Sequence, residues 1–277
     1  MRYKRVKEFL FLWIPIVLWL TFVLFPYVWM FITSLKEPSE LYTSPIQYLP
    51  KKPTFAGYKL LMETTKFPQF ILNSLLVVGG TLLVTGTVST AAAYCFSRFD
   101  FRSKGKLFGM FLVTQMFPSV LLVFSLFLIM RTLGLFNTRL ALIVAHSTFA
   151  LPFTTWLLTG FFNSIPKSLD EAATIDGATR WQTFWYVLAP LSAPGVVAAL
   201  TYVFIYSWNE FIYALTFTSS IDMRTVPVGL NTFMGEYIIR WDLLTAGGVI
   251  TAIPIVIFFM LVQRRLVQGL TAGAVKG

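Results

Sequence analysis

Apolar residues in this chain do not alternate with polar ones. They come in long runs set apart by short charged segments. Six stretches contain no Lys, Arg, Asp or Glu: 9–35, 67–97, 107–130, 140–166, 181–209 and 243–263. An α-helix rises 1.5 Å per residue, so about 20 apolar residues cross the hydrocarbon of a bilayer. All six stretches are that long. Lipid offers no partner to an unpaired backbone group, which leaves helices and closed barrels as spanning structures. Barrel strands need short segments of alternating polarity, and these runs are continuously apolar. The pattern therefore predicts an all-α integral membrane protein of six transmembrane helices. They fill residues 9–264, between a terminal segment 1–8 and a tail 265–277.

Composition agrees with this expectation. Hydrophobic residues make up 56% and charged residues only 12%, where soluble domains carry about 25% charged. So much apolar side chain exceeds what a compact core can hide, and the excess must face lipid. The net charge of +10 is read as a topology signal, with no nucleic acid as partner. Arg2, Lys4, Arg5 and Lys7 precede the first run. They resemble the start of a secretory signal, but the run is too long and lacks a small-residue cleavage site. It is read as a retained helix. The tight cluster Arg98, Arg102, Lys104 and Lys106 then places the 98–106 loop, the 167–180 loop and both termini in the cytoplasm by the positive-inside rule.

Other residues bound the chemistry. One cysteine, Cys95, and one histidine, His146, give no internal disulfide and no His/Cys metal site. Cys95 is expected to pack as a small hydrophobe and His146 as a satisfied packing residue. Gly79, Gly80, Gly86, Ser89 and Ala93 form a small-residue stripe that lets helices approach closely. The prolines at 15, 26, 118, 152, 190, 194 and 254 are tolerated where neighbouring helices supply partners. No nucleophile–base pair or metal cluster suggests catalysis. No G-x-x-x-x-G-K-[ST] segment is present to bind ATP.

The richest stretch is 164–195. Ser168 and Glu171 have capping-box spacing, and Asp170 and Glu171 fall in a first turn, where the helix dipole favours negative charge. Leu169, Ala172, Ala173 and Asp176 share one face. Gly177 stands where a left-handed residue would end the helix, and Thr179 with Gln182 begins the next. The expectation is a stub of about two turns. A helix so short needs something to pack against, either a cleft on a partner or its own membrane domain. Capping alone accounts for Glu171 and Gly177. A second candidate is Trp208-Asn209-Glu210, which offers an aromatic face, an amide and a carboxylate to a sugar. Its alternative is an interfacial anchor or a pair with a neighbouring helix.

Glu171-Ala172-Ala173 followed by Gly177 resembles the EAA loop of permeases in binding-protein-dependent ATP-binding-cassette (ABC) importers. Residues 91–99, Met116-Phe117-Pro118, Leu151-Pro152-Phe153, Trp208-Asn209-Glu210-Phe211, 226–230 and the tail 269–277 are similar to its carbohydrate branch, of the maltose/maltodextrin type. The resemblance implies the MetI-like permease architecture and import of a sugar or oligosaccharide, maltodextrin- or trehalose-like, by alternating access. It makes Glu171, Ala172, Ala173, Asp176 and Gly177 the contact with a cytoplasmic ATPase, within a coupling loop 164–182. The tail residues Gly269, Leu270, Gly273, Lys276 and Gly277 would also reach that ATPase. The implied partners are an unlike second permease, a dimer of ATPase subunits that binds the ATP, and an extracytoplasmic sugar-binding protein. The implied place is a bacterial or archaeal cytoplasmic membrane, with the 210–242 loop reaching toward the binding protein. No cofactor is implied. Alternatives are a permease for glycerol-phosphate or a polyol, and an ion-coupled secondary transporter. Against the last, proton relays are built from Asp, Glu and His, and within the runs only His146 could serve.

Overall fold

A computed structural model describes residues 2–235 and 237–274, with side-chain surroundings for 9–235 and 237–264. The long helices follow the apolar runs. Helix α1 is Arg2–Ser34, α2 Ala56–Thr64, α3 Phe67–Arg98, α4 Lys104–Thr114, α5 Val123–Thr132, α6 Arg139–Ser164 and α7 Ser168–Ile175. Helix α8 runs Arg180–Asn209, and α9 Ile212–Phe217, α10 Val226–Asn231 and α11 Trp241–Ala274 complete the order. Among the described residues the one β pairing is an isolated bridge between Met234 and Ile239.

The expected third span is not one helix. Helix α4 and the segment Ser119–Thr132 meet at 92°. Pro118 sits at the break (φ −59°, ψ 117°). It has no N–H to donate, and its ring pushes Phe117 out of the helical region. A break at membrane depth survives where the freed groups find partners. Here the Tyr213 hydroxyl donates to the Ser119 carbonyl at 2.6 Å. Five helices are therefore unbroken spans, and 104–132 is the sixth in two pieces. Helix α3 ends at Arg98, which touches Phe162 near the end of α6, while Asn73 near the start of α3 touches Arg139 at the start of α6. The two helices run the same way, so the chain between them must cross back.

Helix α8 is continuous through a wider turn. Residues Phe184–Leu188 form a π turn just before Pro190. Pro190 cannot donate to the carbonyl four residues earlier, and the wider turn gives its ring room.

The chain divides into two compact units. The first holds the chain through Pro68 together with Gly229–Pro254. In it, Ser34 and Tyr58 share a 2.6 Å hydrogen bond and Thr54 N–H donates to the Leu35 carbonyl at 2.9 Å. Gly57 packs on the Asp242 carbonyl, where an added Cβ would lie at 3.1 Å. The apolar window of α1 has no buried residue, as suits a surface facing hydrocarbon.

The second unit holds Gln69–Val228 and the chain from Ile255. Val77, Leu142, Ala145, Tyr213 and Phe217 form one core cluster, and Ala93, Leu158, Phe162, Phe184 and Leu188 another. The predicted stripe on α3 packs at four of its five positions. Gly80 meets Ile143, Gly86 meets Leu200, Ser89 is buried with its Oγ 3.4 Å from the Leu151 carbonyl, and Ala93 is buried. Gly79 has nothing within 4 Å of where a Cβ would be. Cys95, expected to pack inside, is exposed, because it lies one position off the buried face of α3.

Candidate functional site

The stub α7 forms, but not by its expected N-terminal cap. Lys167 already has helical angles (φ −62°, ψ −22°), and no side chain caps that end. Helical bonding begins at Pro166 and Lys167, whose carbonyls accept from Leu169 and Asp170, so Ser168 lies inside the helix and the Ser168–Glu171 box does not close. The other end is as expected. Gly177 has φ +81°. Its N–H donates to the Thr174 carbonyl and that of Ala178 to Ala173, the paired bonds of a Schellman ending. Thr179 and Gln182 then make the second box, closed in both directions, at the start of α8.

What holds α7 in place is a residue that looked like one member of a charge cluster. Arg98, at the end of α3, is buried with 7% of its side chain exposed. Its Nη1 donates to the Phe162 carbonyl at 2.9 Å and its Nη2 to Ile165 at 3.1 Å, the last carbonyls of α6. Its Nε lies 3.1 Å from Asp170 Oδ2 and 3.3 Å from Oδ1; only the Oδ1 contact is aligned as a hydrogen bond, and the other oxygen is in ion-pair range. One planar guanidinium thus ties α3, α6 and α7 together, a geometry that lysine cannot reproduce. Spacing offers no hint of it, since Arg98 and Asp170 lie 72 residues apart.

The staple decides which face of α7 is free. Ala173 is buried against the chain's own core, while Glu171, Ala172, Asp176 and Gly177 are exposed. The expected five-residue contact therefore splits, with Ala173 serving as the packing residue. Beside it lies a cleft of about 230 Å³ lined by Tyr94, Arg98, Lys167, Asp170, Glu171 and Arg180. Arg180 stands 5.1 Å over the ring of Phe99. At the end of α11, Gly269, Leu270 and Gly273 continue the helix in backbone only, and Lys276 and Gly277 lie outside the described residues.

Trp208, Asn209 and Glu210 do not form an open sugar site in this conformation. Trp208 is buried with Val78 and Phe204, and the Asn209 amide donates to the Ile205 carbonyl. Glu210 caps α9, its Oε1 accepting from Tyr213 N–H at 2.8 Å and its Oε2 from Ala214 N–H at 3.0 Å. The same Oε2 is 3.1 Å from His146 Nε2, whose other ring nitrogen is 2.8 Å from Ser207 Oγ. This is the neighbouring-helix alternative, and it also satisfies His146. Replacing Glu210 with alanine removes a cap and orphans buried partners, a loss of about 2–3 kcal/mol. The expected result is a clear drop in the thermal midpoint of the purified chain, with glutamine falling between. An unchanged midpoint in the alanine variant would contradict this role.

The opposite end of this unit is tethered as well. Asn73 Nδ2 donates to the carbonyls of Asp222 and Arg224, both at 2.8 Å, and its Oδ1 accepts from Arg139 Nε at 2.8 Å. Ser74 Oγ accepts from Val226 N–H. Asn137, itself at φ +61°, accepts from Ser219 and Ser220. The polar segment that follows α9 is thus held by the side-chain amides of buried Asn73 and half-buried Asn137.

Spans with small-residue contacts, a broken helix satisfied from inside, and a short helix stapled to the ends of α3 and α6 define a multi-pass helical membrane protein. The family model for "Binding-protein-dependent transport system inner membrane component" matches residues 83–272, and the chain belongs to that family. It is 38% identical to the trehalose/maltose transport system permease protein of Thermococcus litoralis, over 100% of both chains. It is 38% identical to the sulfoquinovosyl glycerol transport system permease protein of Agrobacterium fabrum, over 92% of this chain and 89% of that one. In fold it matches a chain of a bacterial ABC transporter that imports the acidic polysaccharide alginate (TM-score 0.82, 20% identity, 96% of this chain and 98% of that one). A chain of a second solved structure, of a bacterial alginate ABC transporter in complex with alginate pentasaccharide-bound periplasmic protein, matches at a TM-score of 0.69 with 18% identity, over 94% of this chain and 93% of that one.

Proposed function

We propose that this chain is the translocating permease of a sugar importer and that α7 is where a separate ATPase subunit moves it. The observation that carries the second part is the Arg98 staple. A load on α7 passes through one guanidinium to α3 and α6 and through the Thr179–Gln182 box to α8. Three spans are thus made to move as one body, which is what alternating access by rocking requires. The exposed Glu171, Ala172, Asp176 and Gly177 are the face a partner would grip, with Ala173 as its backing. The tail residues Gly269, Leu270, Gly273, Lys276 and Gly277 are a second contact with the ATPase.

The sugar follows from the relatives, whose systems carry trehalose, maltose and sulfoquinovosyl glycerol. The other partners are an unlike second permease and an extracytoplasmic binding protein. The charge cluster at 98–106 places the α7 end and both termini in the cytoplasm. The test is Glu171→Ala. ATPase subunits should co-purify with the wild-type chain and be lost from the variant, while expression and thermal midpoint stay unchanged. A variant that holds its ATPase and takes up trehalose at the wild-type rate would remove α7 as the contact.

A further inference from the structure

A second polar site lies in the first unit. At the end of α1, the segment 36–47 folds over a cavity of about 210 Å³ together with Trp241. Its wall includes two tryptophans, Trp29 and Trp241, and the polar residues Thr33, Lys36, Glu40 and Gln47. Three buried polar atoms there have no hydrogen-bond partner: Thr33 Oγ1, Glu40 Oε2 and Gln47 Oε1. Nearly every buried polar atom in a native protein finds a partner, so three orphans around one cavity point to something that fills it. Lys36 is 5% exposed. Its ammonium gives one hydrogen to the Gln47 carbonyl at 2.6 Å and stands 4.8 Å over the Trp29 ring. Glu40 is fixed by its other oxygen, which accepts from Lys51 N–H at 3.1 Å.

We infer that this cavity binds one neutral sugar ring. A sugar hydroxyl both donates and accepts. Donated hydrogens suit Glu40 Oε2 and Gln47 Oε1, while sugar oxygens can accept from Thr33 and Lys36. Tryptophan suits the C–H faces of the ring. Lys36 and Glu40 cancel in charge, so a phosphate ester would meet the carboxylate and an amine would meet the ammonium. At about 30 Å³ per water the volume equals roughly seven waters, enough for one ring but not two. An oligosaccharide would enter by one terminal unit. The inference rests on the sugar-importer reading, which makes the site an extracytoplasmic stop for the arriving solute.

The test uses the permease with its co-purifying membrane and ATPase subunits in lipid nanodiscs, without binding protein. Saturation-transfer NMR reads binding of glucose and trehalose, with glucose 6-phosphate as the charged control. Two variants perturb the site. Gln47→Leu removes an acceptor but leaves the carbonyl that holds Lys36, and Thr43→Phe, at a further position of the cavity wall, fills the space. The neutral sugars should show transfer that falls roughly tenfold in Gln47→Leu, as one lost hydrogen bond would cause, and at least as far in Thr43→Phe, which leaves the ring no room, and glucose 6-phosphate should show none. Equal signals in wild type and variants, or no signal at all, would mean that the cavity holds ordered water only, and the proposal fails. Uptake of labelled trehalose by the wild-type importer with its binding protein is measured alongside. Uptake without a variant-sensitive signal overturns the site but leaves the importer reading standing. A variant-sensitive signal with no uptake of any neutral sugar upholds the site and overturns that reading.

Discussion

Replacing Arg98 with alanine is expected to cut uptake at least roughly tenfold while leaving the chain inserted in the membrane. The guanidinium satisfies two carbonyls at the end of α6 and the Asp170 carboxylate at once. Breaking a buried ion pair costs about 3–5 kcal/mol. Asp170 keeps 25% of its side chain exposed, so a loss of about 2–3 kcal/mol is the better figure here. That falls on the docking of an eight-residue helix with no stability of its own. The spans are held by apolar packing elsewhere and should persist. Lysine keeps the charge but not the three-way geometry, so Arg98→Lys should fall between. Asp170→Asn keeps a hydrogen-bond acceptor and should be milder than alanine at 98. Uptake, with protease cleavage within 165–180, reads both effects. Wild-type uptake and an uncut loop in Arg98→Ala would show that the staple carries no load.

Replacing Gly195 with valine should lower the thermal midpoint of the purified chain most sharply among its helix glycines. A Cβ at Gly195 would overlap the ring of Phe161 on α6, with both Cδ atoms 2.7 Å away. The obstacle is the body of a ring rather than the end of a flexible chain, so α6 and α8 must part. Overpacking of this kind costs about 1–3 kcal/mol. Removing the obstacle is the control: Phe161→Ala combined with Gly195→Val should recover part of the loss, a non-additivity expected only of residues in contact. Gly79→Ala meets nothing within 4 Å and should be neutral or slightly stabilising, since alanine is the better helix former by about 1 kcal/mol. Equal midpoints for Gly195→Val and Gly79→Ala would refute the close crossing.

The spans were legible because burying a helix in hydrocarbon depends on its own residues, summed over a continuous run. For the same reason the run 107–130 reads as one span although two helices make it up. Apolar composition is the same for a straight span and a broken one. Pro118 signalled that a break was possible, and the hydroxyl of Tyr213, 94 positions away, supplies a partner for it. The same split runs through the α7 region. The Gly177 ending and the Thr179–Gln182 box are local, made of residues within a few positions of each other, and both appear as the pattern predicts. Asp170 and Glu171 share a first turn and read alike, yet one faces Arg98 and the other faces out. That difference arises only when α3 ends beside α6.

Glu210 shows the limit most plainly. Its sequence neighbourhood suits a sugar contact or an interhelical pair equally well, and the choice falls to His146, 64 positions earlier. Composition and short-range backbone bonding are enough to say which segments lie in the membrane, where the short helix between α6 and α8 ends, and which family motif it carries. Which charges are spent inside the protein and which stay exposed depends on how the helices pack. Those pairings join residues far apart in the chain, and no local periodicity records them.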